Sequence, residues 1–236
     1  MRPIFIHCVA VLAAAAVCSG AAPAFGQMPG GQGGIGRPSG MSRPSEEIQT
    51  APAVDKPDAA ATKAYTAGKK SLAKAKDFEN AAAAAQNPDK KSIALEKMGD
   101  AFNRALDQFT EALSNKGDMY DAWNEVGYIH LRLGAYAESI DDYNHTLALK
   151  PDLYEATFHR GEAYLSIDRL ENAKGAYMDL FNHARPLADR LMVSMQNWLA
   201  MHRTDSNGMR AADVDAFDKW LRERDGIAKE TASLPH

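Results

Sequence analysis

The sequence contains very little cysteine. Of its 236 residues only Cys8 and Cys18 are cysteines, and both lie among the first 20 residues. If that segment is removed, the remaining protein has no thiol, which excludes a disulfide framework, a thiolate zinc site and a cysteine nucleophile. An excess of positive charge is also lacking, since the formal net charge is −4. A broad basic surface for nucleic acid is therefore not expected.

Common catalytic and metal-binding motifs are missing as well. The sequence has no G-x-S-x-G, no Walker glycine loop and no H-E-x-x-H. No two of its seven histidines are three or four residues apart, so no helix face is expected to present a pair of them to a metal. We therefore expect no enzyme activity, no cofactor and no metal. An enzyme with an unusual site is an alternative that a stoichiometric metal in the purified protein would favour.

The first 26 residues have the layout of a secretory signal peptide. Arg2 supplies positive charge, an uncharged apolar run follows, and small residues lead to a cleavage point after Ala24 or Gly26. The run is shorter than the about 20 apolar residues of a membrane span. We expect export to a bacterial periplasm and no membrane span after signal removal. An uncleaved anchor and a lipid on Cys18 are the alternatives, although the residue before Cys18 is bulky for a lipidation site.

Residues 27–59 are rich in glycine and proline. Between residues 27 and 58 there are six Gly and five Pro, a share above the roughly 25–30% that marks disordered chains. We expect a flexible linker that spans roughly 30 Å, from about 5–6 Å times the square root of its length. A docking peptide is the alternative interpretation.

From residue 60 onward the sequence predicts helices. Alanine, leucine, lysine and glutamate dominate, and no strand-like alternation occurs. A shift of 34 residues places Gly127 on Gly161 and Tyr143 on Tyr177. A 34-residue period with two helices in each unit predicts a solenoid of helical hairpins.

Residues 120–153 resemble a tetratricopeptide repeat. The family pattern is W-x2-L-G-x2-Y, then a small residue, an aromatic residue, another small residue and a proline. The first unit carries this pattern in Trp123, Gly127, Gly134, Tyr136, Tyr143 and Pro151. The second unit, residues 154–186, keeps Gly161, Tyr164, Ala173 and Tyr177. The resemblance implies an all-α fold, a right-handed solenoid of helical hairpins with capping helices at its ends.

The glycines support the same fold. Gly127 and Gly161 lie inside predicted helices, where glycine costs about 1 kcal/mol relative to alanine, and a close approach of two helices would explain that cost. Gly134 suits the left-handed conformation that ends a helix, and Asp168 holds that slot less well in the next unit. The small residues expected to face the two helical glycines are Ser139 and Ala173.

Aromatic residues are expected between neighbouring hairpins. In this interpretation Trp123 and Tyr143 fill the space between adjacent units, and the substitution Trp123→Ala costs about 3–5 kcal/mol.

Atypical helices are expected at both ends. Residues 60–119 predict a degenerate helical pair or partial repeat, with one helix over 60–86 that breaks near Lys76 and another over 88–114. Residues 187–236 predict C-terminal capping helices and a short tail, with a turn at 204–208. The total is seven or eight helices and no sheet. The apolar stripe of the cap is expected to be core, with a hydrophobic partner groove as the alternative, and consists of Leu187, Leu191, Met195, Trp198, Leu199, Val214, Phe217, Trp220 and Leu221.

Charge is distributed unevenly along the chain. Residues 59–97 have a net charge of +4, and residues 98–182 have a net charge of −8. Solubility is one explanation. The other is a repeat surface that attracts a basic or polar partner.

The resemblance also implies that the first helix of each unit lines a concave groove. Tyr128 and Phe158 are expected to anchor a partner's side chain. Asp121 and Glu155 replace the basic residues of family members that clamp acidic tails, so such a ligand is disfavoured. The groove positions carried over from the family are Asp121, Asn124, Tyr128, Leu131, Arg132, Glu155, Phe158, Glu162, Leu165 and Ser166.

The sequence thus favours a non-enzymatic adaptor or scaffold of the cell envelope that binds a protein or peptide on its concave face. No nucleic acid, cofactor or metal is expected. One alternative is a tethered subunit of an envelope assembly or secretion complex. Another is a homo-oligomeric structural protein that uses the region of Trp198 and Trp220.

Overall fold

Eight α-helices follow one another in the computed structural model, which describes residues 57–203 and 210–232. Each helix packs against the next one in the chain, and α1–α2, α3–α4 and α5–α6 form hairpins. The predicted all-α, tetratricopeptide-like stack of hairpins is confirmed in this part of the chain. The helices are α1 (Pro57–Ala84), α2 (Pro88–Asn115), α3 (Tyr120–Leu133), α4 (Tyr136–Leu149), α5 (Tyr154–Ser166), α6 (Leu170–His183), α7 (Arg185–His202) and α8 (Ala211–Ala232).

Helix α1 differs from expectation in two respects. It begins at Pro57, so residues 57–59 of the predicted linker are helical, and proline is well suited to a first helical turn. It is also continuous through Lys76, because Leu72 and Ala75 are buried and hold this stretch against its neighbours. The predicted signal peptide, the rest of the linker and the turn at 204–208 lie outside the described residues.

The α1–α2 pair is a complete hairpin with a close approach of its own. Both helices have 28 residues, against 14 in α3 and in α4. A Cβ atom placed on Gly68 would lie 2.6–2.9 Å from three ring carbons of Phe109, which is fully buried. Gly68 therefore lets α1 reach α2 over an aromatic ring.

In α3–α4 the same contact is made by Gly127 and Tyr143. A Cβ atom on Gly127 would lie 3.1 Å from the Tyr143 ring. Ser139 Oγ donates a hydrogen bond to the Gly127 carbonyl oxygen (2.8 Å), which ties the two helices together at this point. Helix α3 then ends at Gly134, whose φ of 81° lies in the left-handed region that favours glycine.

In α5–α6 the close approach involves the next helix along the chain. A Cβ atom on Gly161 would lie 2.8 Å from Leu191 Cδ2 of α7 and 3.3 Å from Ala176 Cβ. Leu191 and Ala176 supply the nearest atoms to this position, and the expectation that Ala173 also faces Gly161 stays a prediction. Asp168 follows α5 with a φ of 58°.

Two hydrophobic clusters lie along the stack. One is built by α1, α2 and α3 around Phe102 and Phe109, and the other extends from α5 to α8 around Tyr177 and Phe217. Most of the apolar stripe predicted for the C-terminal cap is buried in the second cluster, where Trp220 and Leu187 pack at the margin. The last two helices thus share a buried cluster with α5 and α6.

Trp123 does not fill the space between hairpins as expected. It is half-buried, its Nε1 donates to the Gly117 carbonyl oxygen (2.9 Å), and its ring stacks on His145 with centroids 4.6 Å apart. Of these two aromatic residues, Tyr143 is the one that is fully buried. Trp123 covers the turn before α3, so its loss should cost less than the about 3–5 kcal/mol of a core aromatic residue.

Candidate binding groove

The odd-numbered helices form one continuous face of the stack. Helix α3 packs on α5 and α5 packs on α7, whereas the even-numbered helices pack less closely on one another. A row of hairpins that is closer together on one side curves toward that side. We call the surface made by α1, α3, α5 and α7 the inner face.

Helix α1 occupies the beginning of the inner face and engages α3 through charged side chains. Lys69 forms an ion pair with Glu125, and Arg132 forms one with Glu79. Lys76 Nζ lies 4.7 Å from the centroid of the Tyr128 ring. Two predicted groove residues, Tyr128 and Arg132, therefore already have partners from α1.

Aromatic residues under the inner face are strongly desolvated. Burial raises the pKa of the Tyr128 hydroxyl, and burial together with Glu162 raises the pKa of Tyr143 well above its usual value. Burial, followed by nearby Asp121, raises the pKa of Tyr65 to about 12. These phenols stay neutral at physiological pH, so the negative charge of this surface comes from carboxylates.

The predicted groove residues divide into open and covered positions. Asp121, Glu155 and Ser166 are exposed, and Asn124, Leu131 and Glu162 are half-buried. Phe158 and Leu165 are 3% and 4% exposed. The guanidinium of Arg190 lies 4.3 Å from the centroid of the Phe158 ring.

The proposed anchoring role of Phe158 is therefore corrected. Helix α7 packs directly on α5 and covers this ring, so Phe158 belongs to the core of the second cluster. The sequence alone did not indicate that α7 would continue the inner face at this point.

A cavity of about 390 Å³ opens on the inner face between α5 and α7. We call it the α5–α7 groove. Polar side chains from both helices meet there with apolar ones. Among its lining residues are Glu162, Leu165, Asp168, Ser194, Trp198 and His202.

Both carboxylates of this groove are held by neighbouring donors. Ser194 Oγ donates to Glu162 Oε1 and His159 Nδ1 donates to Glu162 Oε2, each at 3.1 Å. Trp198 Nε1 donates to Asp168 Oδ1 at 3.1 Å, and His202 Nε2 lies 3.5 Å from the same oxygen. Their orientation is thus fixed before any ligand arrives.

Sequence reasoning missed several of these contacts. The link from Asp168 to Trp198 joins residues about one repeat apart, and no local signal marks it. Asp142 is 7% exposed, and its Oδ2 accepts from His130 Nδ1 at 2.6 Å. His130 fills an aromatic slot of the repeat pattern, and this substitution was the available hint of a buried polar partner.

Two features are absent from the residues that the structure describes. Among residues 57–203 and 210–232 no three His, Cys, Asp or Glu side chains are grouped so as to hold a metal ion. In the same residues no helix combines the length and the apolar character needed to cross a membrane.

A search of solved structures finds the Arabidopsis OM64 TPR domain at 14% identity, over 68% of this chain and 98% of that chain, with a TM-score of 0.35. No protein-family profile matches the chain, and no curated protein does. By its own stacked hairpins, with glycines where helices meet, the chain is similar to tetratricopeptide repeat proteins.

Proposed function

We propose that this protein is a non-enzymatic adaptor that binds a protein or peptide partner on its inner face. The observation that carries the proposal is the open α5–α7 groove, where oriented carboxylates, a hydroxyl and apolar side chains converge between two stacked helices. Grooves of this mixed character, of about 300–1,000 Å³, are typical of recognition sites. The helices that support the groove are held by buried cores, which suits rigid recognition.

The proposal includes export to the cell envelope, which rests on the layout of the first 26 residues. Mass spectrometry of the protein isolated from its native host tests this part. A chain that starts at Phe25 or Gln27 is expected. A lipid-bearing Cys18 at the N-terminus would favour a tethered subunit of an envelope assembly, and an intact Met1 would contradict signal cleavage.

Site-specific crosslinking in the native compartment tests the inner face. A photoreactive benzoylphenylalanine at Ser166 is placed at the groove, and the same residue at Asp141 of α4 is the control, since both positions are exposed. A discrete adduct with one partner is expected from position 166 and not from position 141. Equal adducts from both positions would contradict binding on the inner face.

A side-chain deletion complements the crosslinking. Because Phe158 is a core residue, its removal would test stability rather than binding. Tyr128→Ala changes a half-buried inner-face ring and should weaken the crosslink from position 166 while circular dichroism keeps the helical signal. An unchanged adduct would place the partner away from Tyr128.

A further inference from the structure

Two carboxylates line the α5–α7 groove, and in the part of the chain that the structure describes neither forms an ion pair with a lysine or an arginine. They belong to Glu162 and Asp168. Within residues 57–203 and 210–232, the ion pairs of these two carboxylates are with histidines only, His159 and His202. Two other carboxylates of the inner face form ion pairs with a lysine or an arginine: Glu125 pairs with Lys69, and Glu79 pairs with Arg132.

The two carboxylates remain reachable from solvent. The side chain of Glu162 is 31% exposed and that of Asp168 is also 31% exposed. Neutral donors, Ser194 and Trp198, orient one oxygen of each. A carboxylate has room for about four hydrogen bonds, so each can accept further donors from a ligand.

The remaining walls of the groove suit a long aliphatic stem. Met201, which is 52% exposed, and Tyr136 line it above the nearly buried Leu165 and Trp198. Lysine and arginine carry three or four methylene groups that pack on apolar surface while the charged end reaches polar groups. A cavity of about 390 Å³ is large enough to admit one such side chain.

The charge of the surrounding chain favours the same ligand. Residues 98–182, which include α3 to α5 and most of α6, have a net charge of −8. A negative surface around a negative groove attracts a positively charged segment and speeds its encounter.

From these observations we infer that the α5–α7 groove binds a basic side chain, arginine or lysine, of the protein partner, with the cationic group at the carboxylates of Glu162 and Asp168. The inference rests on the proposed function and adds the chemistry of the partner. It predicts a partner whose bound segment is basic.

The test uses short probes and the whole purified protein. The probes are acetyl-Gly-Ser-Arg-Ser-Gly-amide, its lysine counterpart, and the same peptide with citrulline, which has the shape of arginine without its charge. The indole N–H of Trp198 contacts Asp168 directly, so its ¹⁵N-resolved signal reports binding. We expect a saturable shift with the arginine or lysine peptide, with a dissociation constant of about 1 mM for a single side chain, and none with citrulline.

Charge-neutral variants localise the effect. Glu162→Gln keeps an oxygen for Ser194, and Asp168→Asn keeps one for Trp198 and tolerates positive φ. Together the two substitutions should raise the dissociation constant of the cationic peptide about tenfold. The matched control is Glu171→Gln with Asp179→Asn, which removes two charges from α6, outside the groove, and should change binding less than about twofold.

Several outcomes would overturn the inference. Equal shifts with arginine and citrulline peptides would do so, as would undiminished binding by the Glu162–Asp168 double variant. Tighter binding of agmatine, a small guanidinium compound, than of the peptides would assign the groove to a free cation instead. If the crosslink from position 166 persists while the arginine and lysine probes fail, the adaptor function stands and only the basic ligand is wrong.

Discussion

At the scale of single residues, the helices meet where a side chain is missing. Gly68 faces Phe109 and Gly127 faces Tyr143, so in both hairpins a backbone lies against a buried ring. The sequence made Gly127 recognisable because Ser139 and Tyr143 follow it at the repeat spacing. Gly68 was missed because the longer helices of its hairpin separate it from Phe109 by far more residues.

Gly68→Ala tests this arrangement. The added methyl group would lie under 3 Å from the ring of Phe109, which is fully buried and has little space to retreat. Overpacking of this kind is expected to lower the free energy of unfolding by about 1–3 kcal/mol, measured by urea denaturation. The matched control is Gly99→Ala in α2, where a Cβ meets nothing within 4 Å. It should stabilise the protein by up to about 1 kcal/mol, and two variants of equal stability would refute the close contact.

At the scale of the element, helix ends differ between the two 34-residue units. Gly134 ends α3 with a φ of 81°, and Asp168 follows α5 with a φ of 58°. The sequence identified Asp168 as the poorer residue for this conformation. It could not show that the carboxylate is held by Trp198 and His202, because both come from α7 and reach Asp168 only in the folded stack.

Gly134→Ala should cost more than a usual surface substitution. Alanine at this φ is strained by about 1–2 kcal/mol, whereas asparagine tolerates the left-handed region. We expect the midpoint of thermal unfolding to fall for Gly134→Ala and to fall less for Gly134→Asn. Equal midpoints for both variants would indicate that the turn can change its conformation without cost.

How far the sequence predicts the fold also depends on the element. The α3–α4 hairpin was predictable because its contacts follow the repeat pattern, and the burial of most of the apolar stripe in α7 and α8 followed from its helical spacing. The covering of Phe158 and the half-exposed position of Trp123 were not predictable. Both depend on how neighbouring helices pack in space, and periodicity within one helix carries no information about that.

At the scale of the whole molecule, the stack has two clusters that are separate along the chain. The first involves α1 to α3 and the second involves α5 to α8. In repeat proteins each unit is stabilised mainly by its neighbours. A substitution that removes a buried side chain from one cluster should therefore destabilise the helices of that cluster most.

Hydrogen exchange with paired variants measures this locality. Phe217→Ala and Phe109→Ala each remove a fully buried ring, at a cost of about 3–5 kcal/mol. Phe217→Ala should increase amide exchange mainly in α5 to α8, and Phe109→Ala mainly in α1 to α3. A uniform increase along all eight helices in both variants would show that the stack unfolds as one cooperative unit.

The outward side of α1 has a consequence for self-association. Its buried residues face α2, whereas Lys63, Lys70 and Lys74 are exposed on the opposite side of the helix. A second copy that extended the row from this end would have to bring its own surface against three ammonium groups and strip their hydration. Head-to-tail growth into filaments is thus opposed at the first helix.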